Sequence, residues 1–168
     1  WDGSKWSKVS DWIDPNRETG AHNSLVSSAT NFAASLVTAN APANANRPQL
    51  KTTTGSINGR NMLRFQGGDD ELETPQSVIN QLATSKHIFM VFQTSSDITS
   101  KQSIWVEGGS ARGLNIHLDG GKLYYTAWNN PSTDGSDDDW GFGSSGNVAQ
   151  FLEANVAANT TYVVYAEY

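Results

Sequence analysis

The sequence predicts an all-β protein, an antiparallel two-sheet jelly-roll sandwich with one short helix. Short apolar and β-branched runs recur along the chain, turn signals containing Gly or Asn-Gly separate them, and one short segment has a helical pattern. The chain has 168 residues, of which 37% are hydrophobic. It is therefore expected to form a single domain over residues 1–168.

The first half of the chain is predicted to hold loops, a hairpin and the helix. Residues 30–48 are rich in Ala and Asn and keep no sustained helical spacing, so they are predicted as mostly loop with a short strand. The Asn58-Gly59 dipeptide predicts a tight hairpin turn, because both residues tolerate positive φ. Residues 75–85 predict the helix, with Pro75 at its first position.

The second half is predicted to be strands. The continuous apolar run at 86–94 predicts a strand buried on both faces at the centre of the sandwich. A turn at Gly120-Gly121 would pair the apolar residues of 113–119 with those of 122–128. The other face of that hairpin would then carry polar and aromatic side chains, namely Asn115, His117, Tyr124, Thr126 and Trp128. The alternating residues at 160–168 predict a further strand.

The charge of the chain is concentrated in two short runs. The formal net charge is -6, and eight of the 17 acidic residues lie within 69–73 and 134–139. Such local acidity favours cation sites, and an acidic chain is a poor partner for nucleic acid. No apolar run approaches the ~20 residues that span a bilayer, so no membrane insertion is expected. The absence of cysteine excludes disulfides and thiolate chemistry.

Calcium is the cofactor that the acidic runs predict, because Ca²⁺ takes six to eight oxygen ligands from loops of this composition. The candidate ligands in the second run are Asp134, Asp137, Asp138 and Asp139. The alternative is a solvated acidic loop. Asp69 and Asp70 are candidates in the first run, where the alternative is that they cap a turn.

The hairpin face predicts a glycan-binding site, because sugar rings are bound by flat aromatic surfaces next to planar polar groups. The candidate ligand-binding residues are Asn115, His117, Tyr124, Trp128, Asn129 and Trp140. The alternative is that these aromatic side chains form the inner layer of the sandwich. No catalytic residue is predicted. Glycosidases of this fold deliver two acids to one face from alternate positions of a strand, whereas the chain has no Glu-x-Asp-x-x-Glu run, and Glu71 and Glu73 alternate at a turn beside two more acids.

Two stretches resemble a known family. The segment NRPQLKTTTGSINGRNMLRFQGGDDELETP at 46–75 and the segment IWVEGGSARGLNIHLDGGKLYYTAWN at 104–129 are similar to concanavalin A-like jelly rolls of the laminin-G-like group in bacterial surface proteins. The resemblance implies a two-sheet jelly roll that is one module of a larger adhesin or polysaccharide-active protein, with calcium and glycans as common ligands. Family domains continue beyond the strand matched by 160–168. The resemblance therefore implies either a trimmed domain or a sheet completed by a further segment of the parent protein.

The expected function is that of an extracellular or cell-surface recognition module of an adhesin that binds a glycan or another surface ligand with the help of calcium. A structural spacer domain stabilised by calcium is the first alternative. A polysaccharide lyase or glycoside hydrolase is the second, and the protein is expected not to be an enzyme.

Overall fold

The computed structural model describes the chain in six stretches that together contain ten β-strands. These stretches are residues 13–30, 38–52, 56–74, 87–108, 112–129 and 148–167. The chain divides into two compact units, Trp1–Gln81 and Leu82–Tyr168. The described strands pair antiparallel throughout, which confirms the predicted all-β class.

The first unit contains two small sheets of short strands. Strand β1 (Ser28–Ala29) pairs with β2 (Ala39–Asn40), and β3 (Gln49–Lys51) pairs with β4 (Met62–Arg64). Short 3₁₀ helices cover Pro15–Arg17 and Asn44–Asn46. The predicted short strand within 30–48 is present as β2, whereas residues 31–37 lie outside the described part of the chain.

The Asn58-Gly59 turn is confirmed. Both residues have positive φ, 50° for Asn58 and 74° for Gly59. The N–H of Arg60 donates to the carbonyl of Ile57 across the turn at 2.9 Å. Residues that tolerate the left-handed region therefore close this hairpin, as the dipeptide predicts.

The second unit contains a two-stranded and a four-stranded sheet. Strand β5 (His87–Gln93) pairs with β10 (Thr161–Glu167). The larger sheet has the order β6-β7-β8-β9. Its members are β6 (Gln102–Gly108), β7 (Arg112–Asp119), β8 (Lys122–Asn129) and β9 (Val148–Asn155).

The predicted register of the β7–β8 hairpin is confirmed. Gly120 and Gly121 form the turn with φ of 56° and 81°, and Asp119 lies opposite Lys122. The buried hydrophobic residues of both strands then face one side, namely Leu114, Ile116, Leu118, Leu123, Tyr125 and Ala127. They form one hydrophobic cluster with Val164 and Ala166 of β10, so the two sheets of this unit share a core.

The prediction that the apolar run at 86–94 is buried on both faces is wrong. Burial alternates along β5: Ile88, Met90 and Phe92 pack against the hydrophobic cluster, whereas Phe89 and Val91 are exposed. Every position of this strand is apolar between His87 and Gln93, so hydrophobic periodicity carries no information about which face is inward. The tertiary packing supplies that information.

Side chains and backbone tie the loops together at one end of the second unit. The N–H of Thr94 donates to the carbonyl of Thr160 (3.0 Å), and the hydroxyl of Thr94 donates to the carbonyl of Ala157 (2.7 Å). The N–H groups of Gly120 and Gly121 donate to carbonyls of the β5–β6 loop at 3.0 and 2.9 Å. These bonds fix the β7–β8 turn relative to both neighbouring connections.

Two further predictions concern the helix and membrane insertion. The helix predicted at 75–85 is outside it. Among the described residues there is no helix with the length and apolar character needed to cross a membrane.

Candidate functional site

The outer face of the four-stranded sheet is the side turned away from the hydrophobic cluster. Alternation along β7 and β8 assigns Asn115, His117, Tyr124 and Thr126 to this face. Asn115 lies directly opposite Thr126, and His117 lies opposite Tyr124. The inner-layer alternative therefore does not apply to His117 and Tyr124, which are half-buried on the opposite side from the core.

The neighbouring strands extend this face in both directions. Strand β6 places Ser103 opposite His117 and Val106 opposite Asn115. Strand β9 places Glu153 opposite Tyr124. Sequence reasoning missed these three residues, because the local pattern of the hairpin does not indicate which strands flank it.

His117 and Tyr124 form a stacked pair on this face. Their ring centroids are 5.2 Å apart and their planes are inclined by 21°. Cross-strand neighbours in an antiparallel pair come within reach of one another, and aromatic pairs at this separation attract. The hairpin register thus stacks the two rings on each other.

Two polar atoms on this face are buried and have no hydrogen-bond partner among the described residues. They are Oδ1 of Asn115 and Nδ1 of His117, which lie two positions apart on β7. Leaving a buried polar atom unpaired costs about 1–3 kcal/mol. A hydroxyl group both donates and accepts hydrogen bonds, so a ligand hydroxyl could pair with either atom if the side chain rotated to expose it.

Burial lowers the pKa of His117 below its ordinary value of 6.5. The positive charge of Lys101 lowers this pKa further, and the carboxylate of Asp119 opposes the shift. The imidazole is therefore neutral at neutral pH, with one nitrogen that donates and one that accepts. A neutral ring of this kind matches hydroxyl groups and has no charge with which to attract an anion.

An ion pair borders the aromatic surface. Nζ of Lys122 contacts Oε1 of Glu153 on the adjacent strand. The hydrogen bond from Lys122 to Glu153 raises the pKa of Lys122. Together with Lys101 and Asp119, these groups supply two positive and two negative charges near the stacked rings. The charges that the described residues place near the rings therefore balance, which favours an uncharged ligand.

The other predicted ligand-binding residues are placed only in part. The backbone of Trp128 lies opposite Gly113, and that of Asn129 lies opposite Arg112. Their side chains, and the whole of Trp140, lie outside the described part of the structure. The candidate calcium ligands Asp134, Asp137, Asp138 and Asp139 lie outside it as well.

Asp69 and Asp70 lie in the first unit, in the loop that follows β4. Oδ2 of Asp70 accepts a hydrogen bond from the N–H of Gln66 at 2.7 Å. Gly67 and Gly68, which lie between Gln66 and Asp70 in the chain, both have positive φ. Asp70 thus caps a turn, which is the alternative to its role as a metal ligand.

The carbonyl of Asp69 accepts a hydrogen bond from the side-chain amide of Asn46 at 2.5 Å. The N–H of Glu71 donates to the carbonyl of Asn46 at 2.9 Å. Asn46 therefore anchors the acidic loop to the first unit. Within the six described stretches, no group of three or more His, Asp or Glu side chains is arranged to hold a metal ion.

Comparisons with models of protein families, with curated proteins and with solved structures found no match. The resemblance to concanavalin A-like domains consequently stays a prediction from the sequence.

Proposed function

We propose that this protein is an extracellular recognition module that binds a neutral saccharide on the outer face of its four-stranded sheet. The observation that carries the proposal is the stacked His117–Tyr124 pair beside two buried polar atoms without described partners. A sugar ring has an apolar face for stacking and hydroxyl groups for Asn115 and His117. Ring stacking and hydroxyl recognition are therefore combined on one rigid hairpin.

The proposal includes the finer description of the fold. We infer a two-sheet jelly roll of the concanavalin A-like type, in which the sheets of the second unit are the two layers around the shared hydrophobic cluster. It also includes a cell-surface adhesin as the parent protein. The support is the shared core, the antiparallel pairing and the sequence resemblance of 46–75 and 104–129.

Calcium is proposed to be bound by the aspartates at 134–139. Four carboxylates within six residues repel one another unless a cation neutralises them. Since 134–139 follows β8 in the sequence, an ion there would order a segment adjacent to the ligand-bearing strand. Thermal unfolding in excess calcium and in excess chelator tests this part, with the Asp137→Asn, Asp138→Asn double variant as the control that should lose the calcium effect.

The ligand is proposed to be bound and not turned over. Among the described residues, Asp119 lies on the hairpin that carries the stacked rings and Glu153 lies opposite Tyr124, where its carboxylate is paired with Lys122. The outer face is proposed to supply ring stacking and hydrogen bonding to the ligand.

Titration calorimetry with a panel of neutral oligosaccharides tests the binding function. Tyr124→Ala removes one ring of the stack and should weaken binding about 10-fold, because an aromatic contact contributes roughly 1–1.5 kcal/mol. Phe65→Ala, which truncates an exposed aromatic side chain in the other unit, is the matched control and should leave the affinity unchanged.

The alternatives predict different results in the same experiments. A structural spacer would show a calcium-dependent unfolding temperature and no affinity for any saccharide in the panel. Equal losses in Tyr124→Ala and Phe65→Ala would contradict the assignment of the site to the outer face.

A further inference from the structure

The outer face of the two-stranded sheet is a second ordered surface. Strands β5 and β10 pair in register, so their outward side chains form four rows across the sheet. The two middle rows are apolar, and we call them the apolar face: Phe89 with Tyr165, and Val91 with Val163. The two outer rows are polar and consist of His87 with Glu167 and of Gln93 with Thr161.

The apolar face is open to solvent. The exposed fractions are 75% for Phe89, 60% for Val91, 77% for Val163 and 47% for Tyr165. Together the four side chains expose about 500 Å² of contiguous surface. This area lies in the range of the largest patches on soluble proteins, which are often functional. Phe89 and Tyr165 contact each other with centroids 4.6 Å apart, so the aromatic row is a continuous surface.

We propose that the apolar face is the interface of a homodimer, occupied by the same face of a second copy of this chain. Burying it on both copies removes about 1,000 Å² from water, which is the lower limit for a specific interface. The polar rows at both ends bring the total towards the ~1,600 Å² of a standard interface. The patch is therefore large enough for a second copy.

The shape of the face also fits a second copy. A two-fold axis that lies between the sheets, perpendicular to the strands, brings the aromatic row of one copy over the valine row of the other. Large side chains then fill the space above small ones at two equivalent places, as an isologous interface requires. An axis along the strands would stack aromatic on aromatic and leave a gap over the valines, which close packing disfavours.

The polar rows are complementary under the same symmetry. The Glu167 end of one copy meets the Thr161 end of its partner copy. The carboxylate of Glu167 already accepts the hydroxyl of Tyr165 at 2.7 Å, and its remaining lone pairs can accept the Thr161 hydroxyl or the Gln93 amide. This arrangement keeps the two Glu167 carboxylates at opposite ends of the interface.

The dimer would leave the outer face of each four-stranded sheet free, because that face and the apolar face lie on opposite sides of the second unit's core. The two saccharide sites would point away from each other and could engage one surface ligand each. This consequence, unlike the dimer itself, rests on the proposed function.

Sedimentation analysis of the full chain over a concentration series tests the dimer. The expected result is a reversible monomer–dimer equilibrium. Val163→Glu should raise the dissociation constant about 100-fold or more, because each dimer receives the buried carboxylate twice. Val106→Glu makes the same change at a strand position that is also exposed (52%) but belongs to the other sheet, and it should leave the dimer intact.

Val91→Thr is the second variant, because it keeps the size and β-branching of the side chain and therefore suits the same strand position. It should weaken the dimer about 10-fold by adding a hydroxyl to the interface. A wild-type chain that stays monomeric at every concentration would overturn the proposal and assign the face to another occupant. So would a dimer that survives Val163→Glu, or one that Val106→Glu disrupts equally.

Discussion

Two adjacent valines of β10 test the alternation on which the description of both faces depends. Val164 is 8% exposed and belongs to the shared hydrophobic cluster, whereas Val163 is 77% exposed. Val164→Ala removes two buried carbon atoms, each contributing about 0.8 kcal/mol by transfer. The cavity left behind adds to this, so the expected loss in the free energy of unfolding is about 2–3 kcal/mol. Val163→Ala should change it by less than about 0.5 kcal/mol.

Thermal unfolding of both variants in dilute protein, with wild type alongside, measures the difference. For a chain of this length 1 kcal/mol corresponds to about 2–4 °C, so Val164→Ala should unfold about 4–12 °C earlier and Val163→Ala within about 2 °C of wild type. Amide exchange on β5 and β10 would assign the loss to the second unit. Equal destabilisation by the two substitutions would refute the alternation, and so would a larger effect of Val163→Ala.

Three further substitutions probe the loops and the candidate site. Hydrogen bonds from Ser100 and Thr99 lower the pKa of Asp97 from 3.8 to about 2. Its ionised form therefore stabilises the fold above about pH 4, and this contribution is lost as the pH falls from 4 towards 2. In Asp97→Asn the free energy of unfolding, measured with urea, should depend less on pH in this range. The pKa of His117 is lowered, so the unfolded state binds its proton first and the free energy of unfolding of wild type should fall as the pH drops below 6.5. The difference in the free energy of unfolding between wild type and His117→Gln across pH 5–8 isolates this contribution. The same pH dependence in both proteins would contradict it. Gly121 has a φ of 81°, and a Cβ added there would lie 4.0 Å from Cδ1 of Ile98, which is an ordinary contact distance. Gly121→Val should therefore cost about 1–2 kcal/mol through backbone strain and Gly121→Asn clearly less, as measured by denaturant unfolding.

The β7–β8 hairpin was predictable because its information is local. The Gly120-Gly121 turn fixes the register, and the period of two then assigns every side chain to a face. The polar and aromatic composition of the outer face followed directly, including the opposition of His117 and Tyr124. The same reasoning could not show that Asn115 and His117 would contain buried atoms without described partners, because burial depends on neighbouring strands.

Strand β5 was predictable as a strand but not in its burial. Its residues between His87 and Gln93 are all apolar, and only the pairing with β10 and the packing on the four-stranded sheet distinguish Phe89 from Met90. The run of alternating residues in β10, where Val164 and Ala166 face inward, was the signal that could have corrected the prediction. The hydrophobicity of a strand does not indicate which of its faces is buried when the other face is an exposed apolar surface.

The loop network of the second unit was missed for a different reason. Thr94 bonds to residues more than 60 positions away, and Asp97 organises its loop through short-range bonds to Thr99 and Ser100. Neither pattern has a hydrophobic period, and Ser, Thr and Asp are common in any loop. The turn at Asp70 shows the same chemistry in the first unit, where the sequence left both a metal ligand and a turn cap open.

The most direct test of the proposed saccharide site is an NMR titration of the three histidine side chains with the neutral oligosaccharide that binds most tightly. His117 lies in the stacked pair of the outer face, His87 lies on the other sheet and His22 in the other unit, so two of the imidazoles are internal controls. Saccharide should shift the ring signals of His117 alone and lower its pKa further, because a bound sugar excludes water from the neutral ring. Unchanged His117 signals at saturation, or equal shifts of all three imidazoles, would contradict the assignment of ligand binding to this face.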